Sequence, residues 1–273
     1  MVDTSLTKSA RARSLGVSRS TLYYEKKQPE KDWKMKCSIE TVLRDHPGYG
    51  HRRITTALGL TDERPVLRVM NLFGIKPYRR KSNKWRKPKG IEAVYPNLLM
   101  TMTPSYMHEV WVADFTHLGW KGYDVSVATV MDVYTRTIVG LAVLTTHTTV
   151  LVTQALWSAL LNHPRPVVFH SDNGVEYNST AFRELLVNVG ISISRSKKGC
   201  PWENGYQESF YGKFKTDLGD PNRFDTIGEL VAEIYRTIHY YNTARIHSAF
   251  NMPPRSFARL HAADTIQLLG EGV

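Results

Sequence analysis

The stretch VFHSDNGVEY, Val168–Tyr177, admits two readings, and the choice between them fixes the fold. An apolar run ending at Phe169 passes almost at once into Asp172-Asn173-Gly174. Asn-Gly is a strong hairpin signal, and on that reading Asp172 is a turn residue between antiparallel strands. The next segment argues against a hairpin. Ser179 or Thr180 can cap a helix whose Phe182, Leu185, Leu186 and Val189 form one apolar stripe, stopped by Gly190. Strand, loop and helix in succession mean an α/β layered sheet. The working crevice of such a sheet lies beyond the carboxyl ends of its strands, so Asp172 is expected there with its carboxylate exposed, Asn173-Gly174 turning the backbone away.

Upstream, EVWVADFTHLGW (Glu109–Trp120) is β-branched and aromatic and reads as a strand, with Asp114 on the same side of the pleat as Val110 and Val112. A carboxylate there is costly unless it is paired or binds a metal. YDVSVATVMDVYTRTIVGLAVL supplies two more strands joined near Asp132–Arg136, and Asp132 is expected to order that junction. Thr149–Asn162 reads as a helix and Ile191–Ser194 as a short strand. Then ENGYQESFYGKFKTDL has helical period. At ~100° per residue, Tyr206, Phe210 and Phe214 fall together as a core stripe, with Glu208 roughly opposite. Asn204 and Lys215 lie within about 40° of Glu208.

Asp114, Asp172 and Glu208 are thus the expected catalytic and metal-binding set. Three carboxylates without a His or Cys cluster are hard-oxygen donors suited to Mg²⁺ or Mn²⁺. Two such ions ~3.5–4 Å apart can activate the attacking oxygen and stabilise the leaving one in phosphodiester chemistry. Three like charges facing one another need cations, so the site is expected to be metal-dependent.

Charge is divided unevenly along the chain of 273 residues. Residues 1–90 hold 22 Lys+Arg against 8 Asp+Glu, a net of +14, while the remainder carries −3. A polyanion-binding arm joined to a near-neutral body explains the split, and nucleic acid is the expected polyanion. SARARSLGVSRSTLYY (Ser9–Tyr24) reads as helix, turn at Gly16 and a second helix capped by Ser18, with Arg19 projecting from its first turn as in a helix-turn-helix. A second trihelical pattern runs through Ile39–His46, GYGHRRITTALGL and Pro65–Phe73, where Val66, Val69, Met70 and Phe73 share one face; Arg52 and Arg53 are its expected DNA contacts. The basic run Lys76–Lys89, with Tyr78 and Trp85, reads either as a linker along phosphates or as a solvated tether. Two cysteines and no apolar run of ~20 residues predict a reduced, cytoplasmic protein, neither secreted nor membrane-embedded.

WVADFT, HSDNGVEY, ENGYQESFYGKFK and YYNTARIHSAFNMPPRSF, with 57 residues between Asp114 and Asp172 and 35 between Asp172 and Glu208, closely resemble the DDE transposases of bacterial insertion sequences, second-frame (OrfB) type. The catalytic core of that family belongs with the retroviral integrases. The resemblance implies an α/β, RNase H-like mixed-sheet core at 104–262 preceded by an all-α helix-turn-helix DNA-binding region and linker at 1–90. It implies cleavage at element ends and transfer of the 3′-OH strand with Mg²⁺ or Mn²⁺. Its partner would be double-stranded DNA, both terminal repeats and target, bound by a homo-oligomer acting as, or with, a frameshift fusion to an upstream reading frame. Lys215 matches the family's basic residue after the glutamate, and Asn204, Lys197 and Lys198 are expected on the DNA beside it. Two rivals stay open: a non-catalytic DNA-binding regulator of the element, and another RNase H-like nuclease.

Overall fold

The apolar alternation of Val110–Trp120 forms a long central strand, β1, on which the rest of the sheet is assembled. The computed structural model describes residues 7–23, 28–79, 95–197 and 201–262. β2 (Tyr123–Asp132) and β3 (Ile138–Leu144) follow as an antiparallel meander, and β4 (Val168–Ser171) and β5 (Ser192–Arg195) add in parallel, giving the order β3-β2-β1-β4-β5. The β2–β3 turn is tight because buried Asp132 accepts from the Thr135 amide and hydroxyl, both at 2.7 Å, and from the His108 amide at 2.7 Å. Asp132 orders the junction, as its sequence suggests.

Pleat alternation sends β1 side chains to two cores. Trp111 and Ala113 face α5 (Thr149–Leu160) and, after the short α6 (Val175–Asn178), α7 (Thr180–Asn188). Gly140 lets α5 approach β3 closely, since a Cβ there would lie 2.3 Å from the Ala155 carbonyl. Ser179 caps α7, accepting from the Phe182 amide at 3.3 Å. Val110 and Val112 face α8 (Gly205–Leu218) and α9 (Ile227–Thr243), packing with Phe210, Phe214, Leu230 and Ile234. α10 (Pro254–Leu260) follows.

Before the sheet come α1 (Lys8–Ser14), a 3₁₀ turn at Arg19–Tyr23, and the trio α2 (Gln28–Asp45), α3 (His51–Ala57) and α4 (Arg64–Leu72). The trio closes over Ile39, Ile54, Val66, Val69 and Met70. The helix expected after Gly16 is instead this five-residue 3₁₀ turn: the Ser18 hydroxyl accepts from the Thr21 amide at 3.3 Å, a local bond that tightens the backbone. The trio also docks on the body. The Tyr49 hydroxyl accepts from the Ile246 amide at 2.8 Å, and His46 Nδ1 lies 2.6 Å from the Tyr240 hydroxyl. Residues 80–94, with Trp85 and most of the basic run Lys76–Lys89, lie outside the described residues.

Candidate active site

The last register pair between the parallel strands β1 and β4 is Ala113 with Ser171. The next residue on each strand is Asp114 and Asp172, so strand pairing brings the two backbones about one strand spacing (~4.8 Å) apart there, and the Asp172 charge is felt at the Asp114 carboxyl. Both are half-buried. Burial, then the Asp172 charge, then that of Glu208, push Asp114 up to about 7; the Phe115 amide, 2.9 Å from Oδ1, and Lys215 pull the other way. Asp172 is raised by burial and by Glu176, against the Gly174 amide and Arg195.

The turn after Asp172 differs from expectation. Gly174 has an ordinary φ of −68°, and the bend is made by Asp172 itself, whose Oδ1 accepts from the Gly174 amide at 3.1 Å. Glycine is needed there for space: a Cβ would lie 3.0 Å from both Asp172 Oδ1 and Glu176 Oε2. Glu176 thus approaches Asp172 closely.

Glu208 is exposed on the first turn of α8, and α8 is rotated relative to its expected stripe. Gln207, Phe210, Tyr211, Phe214 and Leu218 are its buried residues, whereas Tyr206 is exposed and lies under the Arg136 guanidinium. The reason is a set of polar bonds to β1 that an apolar pattern does not register. Gln207 Nε2 donates to the Val112 carbonyl at 2.7 Å, and the Tyr211 hydroxyl donates to the Asp114 carbonyl at 2.7 Å. The Thr129 hydroxyl stands 3.0 Å from Gln207 Oε1 and 2.9 Å from the Tyr211 oxygen. These bonds fix the helix that carries Glu208 against the strand that carries Asp114. Gln207→Met is expected to cost about 2–3 kcal/mol, because buried Thr129 and the Val112 carbonyl lose a partner; urea unfolding measures it, and a wild-type midpoint would mean the network is not structural.

Asn204, expected on DNA, is buried and donates to the Ala113 carbonyl at 3.1 Å, so it belongs to the same positioning set. Arg53 is likewise turned inward, over Tyr49 and close to Asp217 and Arg245, because that side of α3 docks on the body. Arg52 and Arg19 are exposed, as is Lys197; Lys198 lies outside the described residues. Lys215 lines a cleft of about 320 Å³ with Tyr78, His117 and Asn222. Arg195, hidden in the sequence as one of a basic run, is fully buried beside Ser171 in the β4–β5 register and donates to the Tyr177 carbonyl at 2.8 Å. It is the buried cation nearest in register to Asp172.

A five-stranded sheet in this order, helices on both faces and paired aspartates at the carboxyl edge define an RNase H-like core of the integrase class. Integrase core domain families match residues 104–201 and 189–254. The chain is 32% identical to the transposase for insertion sequence element IS904 of Lactococcus lactis subsp. lactis, covering 82% of this chain and 93% of that protein. It is 31% identical to the 31 kDa protein of insertion element IS600 of Shigella sonnei, covering 89% and 95%. Its fold matches a chain of the simian T-cell lymphotropic virus intasome with a TM-score of 0.51 at 16% identity, over 81% of this chain and 74% of that one. The chain belongs to the DDE transposases of bacterial insertion sequences, polynucleotidyl transferases that act in DNA transposition. No helix among the described residues is long and apolar enough to cross a membrane.

Proposed function

We propose that Asp114, Asp172 and Glu208 hold divalent cations, Mg²⁺ or Mn²⁺, and that with them the protein cuts element ends and joins the freed 3′-OH strand to target DNA. The observation that carries this reading is the parallel register that sets Asp114 beside Asp172, with Glu208 acting on the same carboxyl. The donor set fits in kind: hard oxygens whose mutual repulsion and burial call for positive charge. Among the described residues no three His, Cys, Asp or Glu side chains stand together as a metal-binding group. When bound, a pair of such ions supplies activation of the attacking oxygen and stabilisation of the leaving one.

The chain's own residues do the rest. Gln207, Asn204 and Tyr211 hold β1 and α8 in register, and Arg195 offsets the Asp172 charge. Lys215, lowering the Asp114 carboxyl, is suited to holding a phosphate near the reacting bond. Exposed Arg19, Arg52 and Lys197 extend the contact to DNA, with residues 1–90 as the DNA-binding region and 104–262 as the catalytic core. We extend the reading to a homo-oligomer on DNA that acts as, or with, a fusion to an upstream reading frame.

Ligand linkage tests the metal site. Mg²⁺ at a hundred times its Kd is expected to stabilise the wild type by about 2.7 kcal/mol, and the Asp114→Asn variant by far less. Thermal melts with and without Mg²⁺ read this out. An equal shift in both proteins would move the metal site elsewhere.

A further inference from the structure

On the reading that this chain handles DNA, α8 carries a second site on a different face. Lys213 lies five residues beyond Glu208 and projects about 140° round the helix from it. It enters a cleft of about 600 Å³ whose walls also include Arg136 from the β2–β3 turn, Tyr206, and His247 and Ser248 from the segment after α9. The motifs DVYTR and ARIHSAF, far apart in sequence, meet here.

Two features mark the cleft as a place for an anion. The Arg136 guanidinium lies 4.0 Å from the Tyr206 ring centroid, yet its Nε and Nη1 are buried with no hydrogen-bond partner among the described residues. Buried donors left unpaired are costly, and an arriving acceptor removes that cost. Positive charge is also in excess around the cleft. Burial, then Arg245, Arg53 and Arg136, push Lys213 down to about 8. Burial, then Lys213 itself and the same three arginines, push His247 down to about 4. The nearby carboxylates are committed: Asp217 accepts from Arg245 Nε at 2.5 Å, and Glu203 accepts from the Lys197 amide at 2.8 Å and from Asn97 at 2.9 Å.

We propose that this cleft binds a backbone phosphate of bound DNA at a point removed from the scissile bond, with Arg136 and Lys213 as its contacts. A phosphodiester offers two acceptor oxygens to a guanidinium fork, and stacking on Tyr206 holds the plane of that fork fixed. Lys213 and Lys215, two residues apart on α8, would each hold a different phosphate.

The test measures affinity of the full chain for duplex DNA carrying the element end, across a range of salt. Lys213→Met keeps the helix and most of the packing volume; Arg136→Gln removes the second contact; exposed Lys121→Met on the β1–β2 turn controls for loss of one charge. Each cleft variant is expected to weaken binding by about fivefold at moderate salt and to make the slope of log K against log salt shallower by about one, the share of one phosphate. Lys121→Met should follow the wild type. If the wild type binds with a steep slope and folded Lys213→Met matches it, the cleft assignment is overturned while the DNA-handling reading stands. If the wild type shows no salt-dependent DNA binding, both fall. An Arg136→Gln variant that does not fold leaves Lys213→Met as the deciding arm.

Discussion

Asp114→Asn is expected to lower DNA cleavage and joining by roughly a thousandfold or more, and to make the metal-free protein more stable at alkaline pH. The two effects share one cause. Burial and two neighbouring carboxylates hold Asp114 at about 7, above the ~3.9 of an unfolded chain. A carboxyl whose folded pKa is raised adds stability that is fully present below about pH 4 and is lost as pH rises through about 7. The wild type should therefore lose stability across that window relative to Asp114→Asn. Melting temperatures in metal-free buffer should converge below pH 4 and separate at pH 8, the variant higher. Asp172→Asn and Glu208→Gln should lose activity to a similar degree, since a cation site missing one hard ligand no longer places its ion. Near wild-type nicking by any one of the three would remove that residue from the site. Converging loss without the Asp114 stability crossover would mean that its carboxyl is solvated and that the field at the sheet edge is weaker than its neighbours suggest.

The aspartate pair could be read from sequence because short-range signals specify it. Val110–Trp120 alternates, VFHSDNG ends a strand, and the helix after Ser179 excludes a hairpin, so an α/β layered sheet follows, with Asp172 at a strand end and Asp114 on a neighbouring strand. The face of α8 could not be read in the same way. Counting only apolar residues selects Tyr206, whereas the buried positions include Gln207, a side chain that pattern reading assigns to solvent but that donates to the carbonyl of Val112. Gln207 and Tyr211 stand four residues apart on one face, and that spacing of hydrogen-bonding groups beside Phe210 and Phe214 was the available signal. Arg53 and Asn204 read from sequence as DNA contacts for a related reason. Charge and polarity mark a residue as exposed until a distant element, here the segment after α9 that carries Arg245 or the central strand β1, is known to cover it. Long-range pairs of this kind leave no local pattern.

Asp217→Asn is expected to destabilise the protein by about 3–5 kcal/mol, lowering the melting temperature by roughly 10 °C. Asp217 and Arg245 are both almost fully buried, at 10% and 3% side-chain exposure, and are joined through Arg245 Nε at 2.5 Å. Arg53, Arg245 and Lys213 share the surrounding volume, so removing the Asp217 carboxylate leaves cations facing cations. The pair itself is not the source of net stability. Asp217 is raised because burial outweighs the pull of Arg245, which means desolvation consumes most of the attraction. The double variant Asp217→Leu with Arg245→Met should therefore regain most of what either single change loses, a coupling readable in a double-mutant cycle. The clamp also sits where the α2–α4 trio meets the body: Gly48 lies against Thr216 and Asp217, and Tyr49 bonds the Ile246 amide next to Arg245. Hydrogen exchange in α2–α4 should accordingly rise in Asp217→Asn more than in the central strand β1. Uniform exchange across both regions would show that the pair stabilises the body alone, and an unchanged melting temperature would show that the remaining cations are solvated and need no buried partner.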